Sequence, residues 1–282
     1  MRGAGHAGAG AGRRVGPRVA VFVAAAVDAV GTGMFLPMAL LFQIRVVGLT
    51  ASTAGAVTAV ATLVSLAVPA LVGALVDRTG ARRMVIAAFA VQGLGTAGLL
   101  AAHGSAAALA ATLAAAAGQR AFWASLFTLL GDVAGPVAKE QVFATAGMMQ
   151  SAGATVGALA AGPLMAVGSV GSYRFVVALN AVSFLGGVLV VMFGVPPQRP
   201  VRAAPAAAAG FRQVLADRGF LTLMAAYTSI TFTVALCTVV APVFVIDVLH
   251  LPGWQPSLLL GSVTLATATL RGRAVTLLRR RS

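Results

Sequence analysis

The sequence predicts an all-α fold: a polytopic bundle of transmembrane helices, with six spans in a first half and one or two helices of a second. Three observations carry this. The chain of 282 residues is 59% hydrophobic and only 9% charged, more apolar than a water-soluble domain needs, so lipid is its solvent. Its apolar residues gather into long runs. Its charges gather into short segments between those runs.

The elements follow in order. Residues 1–18 are rich in Gly and Ala, carry Arg2, Arg13, Arg14 and Arg18, and lack the large apolar side chains a packed segment needs. They predict a disordered cytoplasmic tail. The run Val19–Leu41 is long enough to span, which disfavours a cleaved signal peptide. Further spans are predicted at Ser52–Val76, Met84–Ala102, Ala106–Leu130, Val142–Val167 and Phe175–Gly194, so residues 19–194 form a six-helix bundle. About 20 residues of helix cross a bilayer, and helix is required because hydrocarbon leaves no partner for a bare backbone group. Pro37, Pro69, Pro163 and Pro242 are expected as tolerated kinks.

Residues 195–219 break the pattern with Pro196, Pro197, Pro200 and Pro205 and four arginines. They predict a cytoplasmic loop, which the family resemblance given below makes the central one between two halves. Its end, Phe211–Arg218, has helical apolar spacing, which leaves open a short surface helix or a plain linker. Residues 220–270 then predict a partial second bundle. Phe220–Ile246 is a full span, whereas Ser257–Leu270 reaches only roughly 21 Å of a roughly 30 Å hydrocarbon core. Trp254 is placed to anchor its outer end. Residues 271–282 are a basic tail.

The net charge of +14 raises nucleic acid as a partner, but the basic residues occupy loops rather than an amphipathic face, so no nucleic acid is expected. With the N-terminus inside, every basic residue except Arg45, Arg174 and the intramembrane Arg120 falls on the cytoplasmic side. The positive-inside rule therefore predicts a multi-pass protein of the cytoplasmic (inner) membrane with both termini inside. Cys237 is the single cysteine, so no internal disulfide forms. His6, His103 and His250 have no metal-ligand spacing, and no Gly-x-x-x-x-Gly-Lys loop is present. No metal, no cofactor, no enzymatic constellation and no ATP-driven step are expected.

Between the second and third spans lies Gly73-Ala-Leu-Val-Asp77-Arg78-Thr-Gly80-Ala-Arg82-Arg83. Gly80 can take the positive φ that reverses the chain, and Asp77 can cap the helix that follows. The pattern Gly73-x-Leu75-x-Asp77-Arg78-x-Gly80-x-Arg82 resembles the signature loop between helices 2 and 3 of the major facilitator superfamily of transporters, with Ala81 where that family usually has a basic residue. The resemblance covers about Arg18 to Leu265. It implies a transporter that binds a small molecule, drug-like by analogy with efflux members, near the membrane midplane between two helical halves that rock. It also implies that Asp77 and its neighbouring arginines belong to a cytoplasmic latch. A second copy of this loop and helices 9 to 12 do not appear in the sequence. The rival expectation is therefore a truncated, non-transporting membrane protein, inert or associated with another.

Ionisable residues inside spans are few and costly, which marks them as candidates. Asp28 and Arg120 lie near mid-span, at similar depth, so pairing across a polar cavity is one expectation. The stretch Asp28-Ala-Val-Gly31-Thr-Gly33 is similar to helix 1 of drug-efflux members, where an acidic residue takes part in proton or substrate binding. Arg120 resembles the helix 4 arginine of proton-coupled members, with Ala124 in place of that motif's glycine. For each a plainer reading stays open: Asp28 bonding a neighbouring helix, Arg120 snorkelling to the cytoplasmic face. Gln119, Gln150 and Asn180 are further cavity candidates. Gly153-x-x-x-Gly157 with Gly162-Pro163 partly resembles the helix 5 signature of antiporters, implying a bend there, while generic small-residue packing explains the same glycines. Proton, small molecule and membrane lipid are the expected partners.

Overall fold

The computed structural model describes residues 16–134, 139–197, 216–252, 254, 255, 258 and 262. Most of the expected N-terminal tail, central loop and last short span, and the whole basic C-terminal tail, lie outside these residues, as does the Cys237 side chain.

The described chain is helical throughout. The first span is α1 (Pro17–Phe35), a 3-10 turn at Leu36–Met38, and α2 (Ala39–Arg45). Pro37 accounts for the tightened turn, because it cannot donate to the ladder. The second span is α3 (Ala51–Ser65) and α4 (Val68–Thr79). They part at Leu66–Ala67, just ahead of Pro69. Then follow α5 (Ala81–Leu100), α6 (Gly104–Ala134), α7 (Lys139–Val167), α8 (Val170–Gly194) and α9 (Arg218–Val243), the last running into a π-turn at Phe244–Val248 just after Pro242. Pro163 lies within α7 without interrupting it.

Among the described residues, four stretches are long and apolar enough to cross a membrane by length and composition: Pro17–Arg45, Ala51–Thr79, Ala81–Leu100 and Val170–Gly194. The helices α6 and α7 have the length, 31 and 29 residues. Their apolar runs are interrupted by Gln119–Arg120 and by Gln150–Ser151. Leu71, Leu94 and Phe193 are 70%, 74% and 79% exposed. Side chains of that kind facing outward in number mark a lipid-facing surface.

The packing of the six spans repeats. The span α1–α2 lies against α7 and α8, as α6 lies against α3–α4 and α5, while α5 and α8 meet each other. Exchanging the first three spans with the next three leaves this pattern of neighbours unchanged. At one end, side-chain donors satisfy helix C-terminal carbonyls that lack intrahelical partners. Arg18 Nε donates to Val133 O (3.1 Å) near the end of α6, and Arg82 Nη2 donates to Met192 O (2.7 Å) near the end of α8.

Among the described residues two large apolar cores result, with a small third cluster at Val57, Ala102 and Ala108. The one at the arginine end holds Val21, Val85, Phe89, Phe122, Leu126, Phe184 and Val191, with the Phe89 and Phe122 rings 4.5 Å apart. The one at the other end holds Met38, Leu41, Phe42, Leu99, Met165 and Tyr173. Between them, on α1, α5 and α8, sit the buried polar residues Asp28, Gln92, Thr96 and Asn180. A buried polar layer persists only where it is bonded or wetted.

Candidate substrate and proton site

Asp28 lies on α1 between the two cores and is 1% exposed. Its Oδ1 accepts a hydrogen bond of 2.9 Å from Gln92 Nε2 on α5. Arg120, on α6, is half-buried; its Nε donates to Ser65 Oγ at 2.7 Å. Ser65 closes α3, and its hydroxyl donates in turn to Thr62 O at 2.7 Å, at the break that Pro69 imposes. The expected pairing of Asp28 with Arg120 is therefore not made: each has a different partner on a different helix. The reason is helical direction. Asp28 faces α5, Arg120 faces α3, and α1 and α6 have little common surface.

A cavity of about 150 Å³ adjoins this layer, lined from α1, α2, α3, α5, α6 and α8. Gln119 and Asn180 line it, as does Gln92, the partner of Asp28. Arg120 and Gln150 do not line it; Gln150 is half-buried on α7. The cavity also recruits Gln43, Thr58, Thr96 and Thr112, which were not among the sequence candidates. Gln92 and Thr96 carried a signal, being polar residues inside an apolar span. Gln43 carried none, because the first span is predicted to end at Leu41, two residues short of it.

The glycines of α7 serve a seam. A side chain at Gly157 would strike the carbonyl oxygen of Val30, and one at Gly153 would press on Ala29, both on α1. Close approach of two helices through small residues replaces, in lipid, the hydrophobic drive available in water. Gly162 is buried and Pro163 exposed, beside Trp254.

At the polar loop, Gly80 has φ 88° and ψ 146°, a conformation open essentially to glycine alone. Its N–H donates to Val76 O (2.8 Å), closing α4. Asp77 does not cap α5: α4 runs on to Thr79, Asp77 sits exposed in its last turn, and Gly80 takes the N-cap position of α5 without a side-chain cap. Arg78 is exposed, and a side chain at Gly73 would meet open space. Of the loop's candidates, Arg82 is the one bonded across the bundle, to α8.

No individual curated protein matches the chain in sequence. The profile of the Major Facilitator Superfamily, in contrast, matches residues 21–281, nearly the full length over which the apolar helices run. That family consists of membrane transporters that bind small molecules. A multi-pass bundle with a buried polar layer and the Gly73–Arg82 loop in place agrees with the match, and the chain belongs to the Major Facilitator Superfamily.

Proposed function

We propose that the protein exports a small, drug-like molecule across the cytoplasmic membrane in exchange for protons, by alternating access, with both termini and the Gly73–Arg83 loop on the cytoplasmic side. The observation that carries this is the carboxyl group of Asp28, buried at mid-span and bonded to the neutral amide of Gln92. No basic side chain is bonded to it among the described residues. Such a group in hydrocarbon is costly to keep idle. Held by an amide rather than a cation, it is free to change its proton as water reaches it from one side and then the other. Arg120, bonded to Ser65 at the α3–α4 break, is the intramembrane charge that tunes that exchange.

Residues 19–194 then act as one rocking half, residues 195–219 as the cytoplasmic connection, and residues from 220 onward as part of the second half. Asp77 and Arg78, exposed at the end of α4, are free to serve as the latch that the family resemblance implies. The orientation rests on the positive-inside rule, with Arg18, Arg78, Arg82 and Arg83 at the end where Arg18 and Arg82 tie helices together.

The test uses everted membrane vesicles from cells expressing the full chain, energised to hold a pH gradient. Adding a transported compound is expected to relax the gradient in wild-type vesicles and to leave it unchanged with Asp28→Asn. Equal relaxation in both removes Asp28 from the proton path.

A further inference from the structure

A second cavity, of about 480 Å³, lies at the arginine end of the bundle, between the start of α1 and the end of α8. Pro17, Ala20 and Val23 line one wall, and Val190, Phe193 and Pro196 line the other. No polar side chain belongs to the lining. A side chain at Gly194 would strike Ala20, so the two helices touch at the floor of this groove. Phe193 is largely exposed, so the groove opens on the outward, lipid-facing surface.

The groove has an apolar length and a charged mouth. From Pro17 to Val23 the helix rises about 9 Å, which carries the apolar walls inward from the membrane face. Pro196 has no N–H, so Met192 O, which would accept from that position along α8, is left open. Arg82 Nη2 supplies the missing bond at 2.7 Å, and this fixes the guanidinium beside Pro196, at the mouth. Its Nη1 has no partner among the described residues and is not buried. Arg83 is exposed next to it, and Arg18 follows Pro17, its Nε bonded to Val133 O. Asp132, beside Val133 in sequence, is on α6, which contributes nothing to the lining.

We infer that this groove binds an anionic phospholipid of the cytoplasmic leaflet, with one acyl chain along α1 and α8 and the phosphate at Arg82. Such a lipid has the polarity of the groove: negative charge at the membrane face, hydrocarbon below it. Free phosphate would leave the apolar walls unfilled. A zwitterionic lipid would fill them and bring no net charge to Arg82 and Arg83. The choice of leaflet rests on the orientation proposed above. The site itself does not, because detergent solution has no leaflets and binding is read without transport.

The full chain, purified in detergent, is melted by tryptophan fluorescence with phosphatidylglycerol, with phosphatidylcholine of the same acyl chains, or with inorganic phosphate. Phosphatidylglycerol is expected to raise the melting temperature at a concentration at least about fivefold lower than phosphatidylcholine, the ratio equivalent to the roughly 1 kcal/mol of one basic residue at an anionic surface. Phosphate alone should leave it unchanged. Val23→Trp fills the groove from a partly exposed position and should abolish the preference. Phe193→Ala, which removes one wall, takes its place should Val23→Trp melt far below wild type without lipid. Arg82→Gln keeps a donor for Met192 O and should also abolish the preference, whereas Arg82→Lys, which keeps the charge, should retain it. Equal response to the two lipids, stabilisation by phosphate alone, or an undiminished preference in the groove variant or in Arg82→Gln would overturn the assignment. So would no response to either lipid, as when the chain's own flanking residues fill the groove.

Discussion

Gln92 Nε2 and Asp28 Oδ1 lie 2.9 Å apart, joining α5 to α1 across 64 residues of chain. Both residues are buried, and the bond holds the polar layer between two apolar cores. Gln92→Leu would leave the carboxyl without its amide partner and is expected to cost about 1–3 kcal/mol. Asp28→Asn keeps an acceptor for Gln92 and should cost less. Thermal unfolding of the two purified variants gives the comparison, and a Gln92→Leu protein as stable as wild type would count against the bond.

The α1–α7 seam gives a steric prediction. Gly157→Val would drive a branched side chain into the Val30 carbonyl, with an overpacking cost of about 1–3 kcal/mol or more. Gly73→Ala, where the added carbon meets open space, should fold like wild type although Gly73 belongs to the signature loop. Yield of monodisperse protein on size-exclusion chromatography separates the two. Similar profiles for both would show that the seam is not tight.

Arg120 and Ser65 form a part-buried, charge-assisted bond at the break between α3 and α4. A double-mutant cycle with Arg120→Gln and Ser65→Ala should give a coupling between about 0.5 and 3 kcal/mol in thermal stability. Strict additivity would mean that the guanidinium finds another partner at no cost.

Much of the bundle was legible in the sequence because apolar runs must become helix in lipid. The expected spans overlap the observed helices throughout the six-span half. Departures lie at the span ends, and the kinks expected at Pro37 and Pro69 take the form of a tightened turn and a break. Leu36–Met38 tightens and α2 carries on to Arg45, which brings Gln43 into the cavity; Leu66–Ala67 breaks, which exposes Ser65 to Arg120. Side-chain partners were not legible. Depth along a span follows from counting residues, but direction around the helix axis depends on which neighbour packs there. Asp28 and Arg120 share a depth and face different helices. Gln150 shares the chemistry of Gln119 and Asn180 and does not reach their cavity.

Orientation in the membrane is checked by cysteine labelling in a Cys237→Ala background. Thr79→Cys, beside the Gly80 turn, should resist a membrane-impermeant maleimide applied to intact cells, and His103→Cys, at the turn between α5 and α6, should react. Both positions are at least partly exposed on the protein surface. The reverse pattern would place the arginine end outside and contradict the charge argument.

The most direct measurement is steady-state accumulation of drug-like fluorescent dyes in cells expressing the full chain. Wild type is expected to hold at least one dye below the level of cells without the protein. Collapse of the proton gradient, or Asp28→Asn, should restore that level. Dye levels identical with and without the wild-type protein across the panel, or export by Asp28→Asn equal to wild type, would contradict proton-coupled export through Asp28.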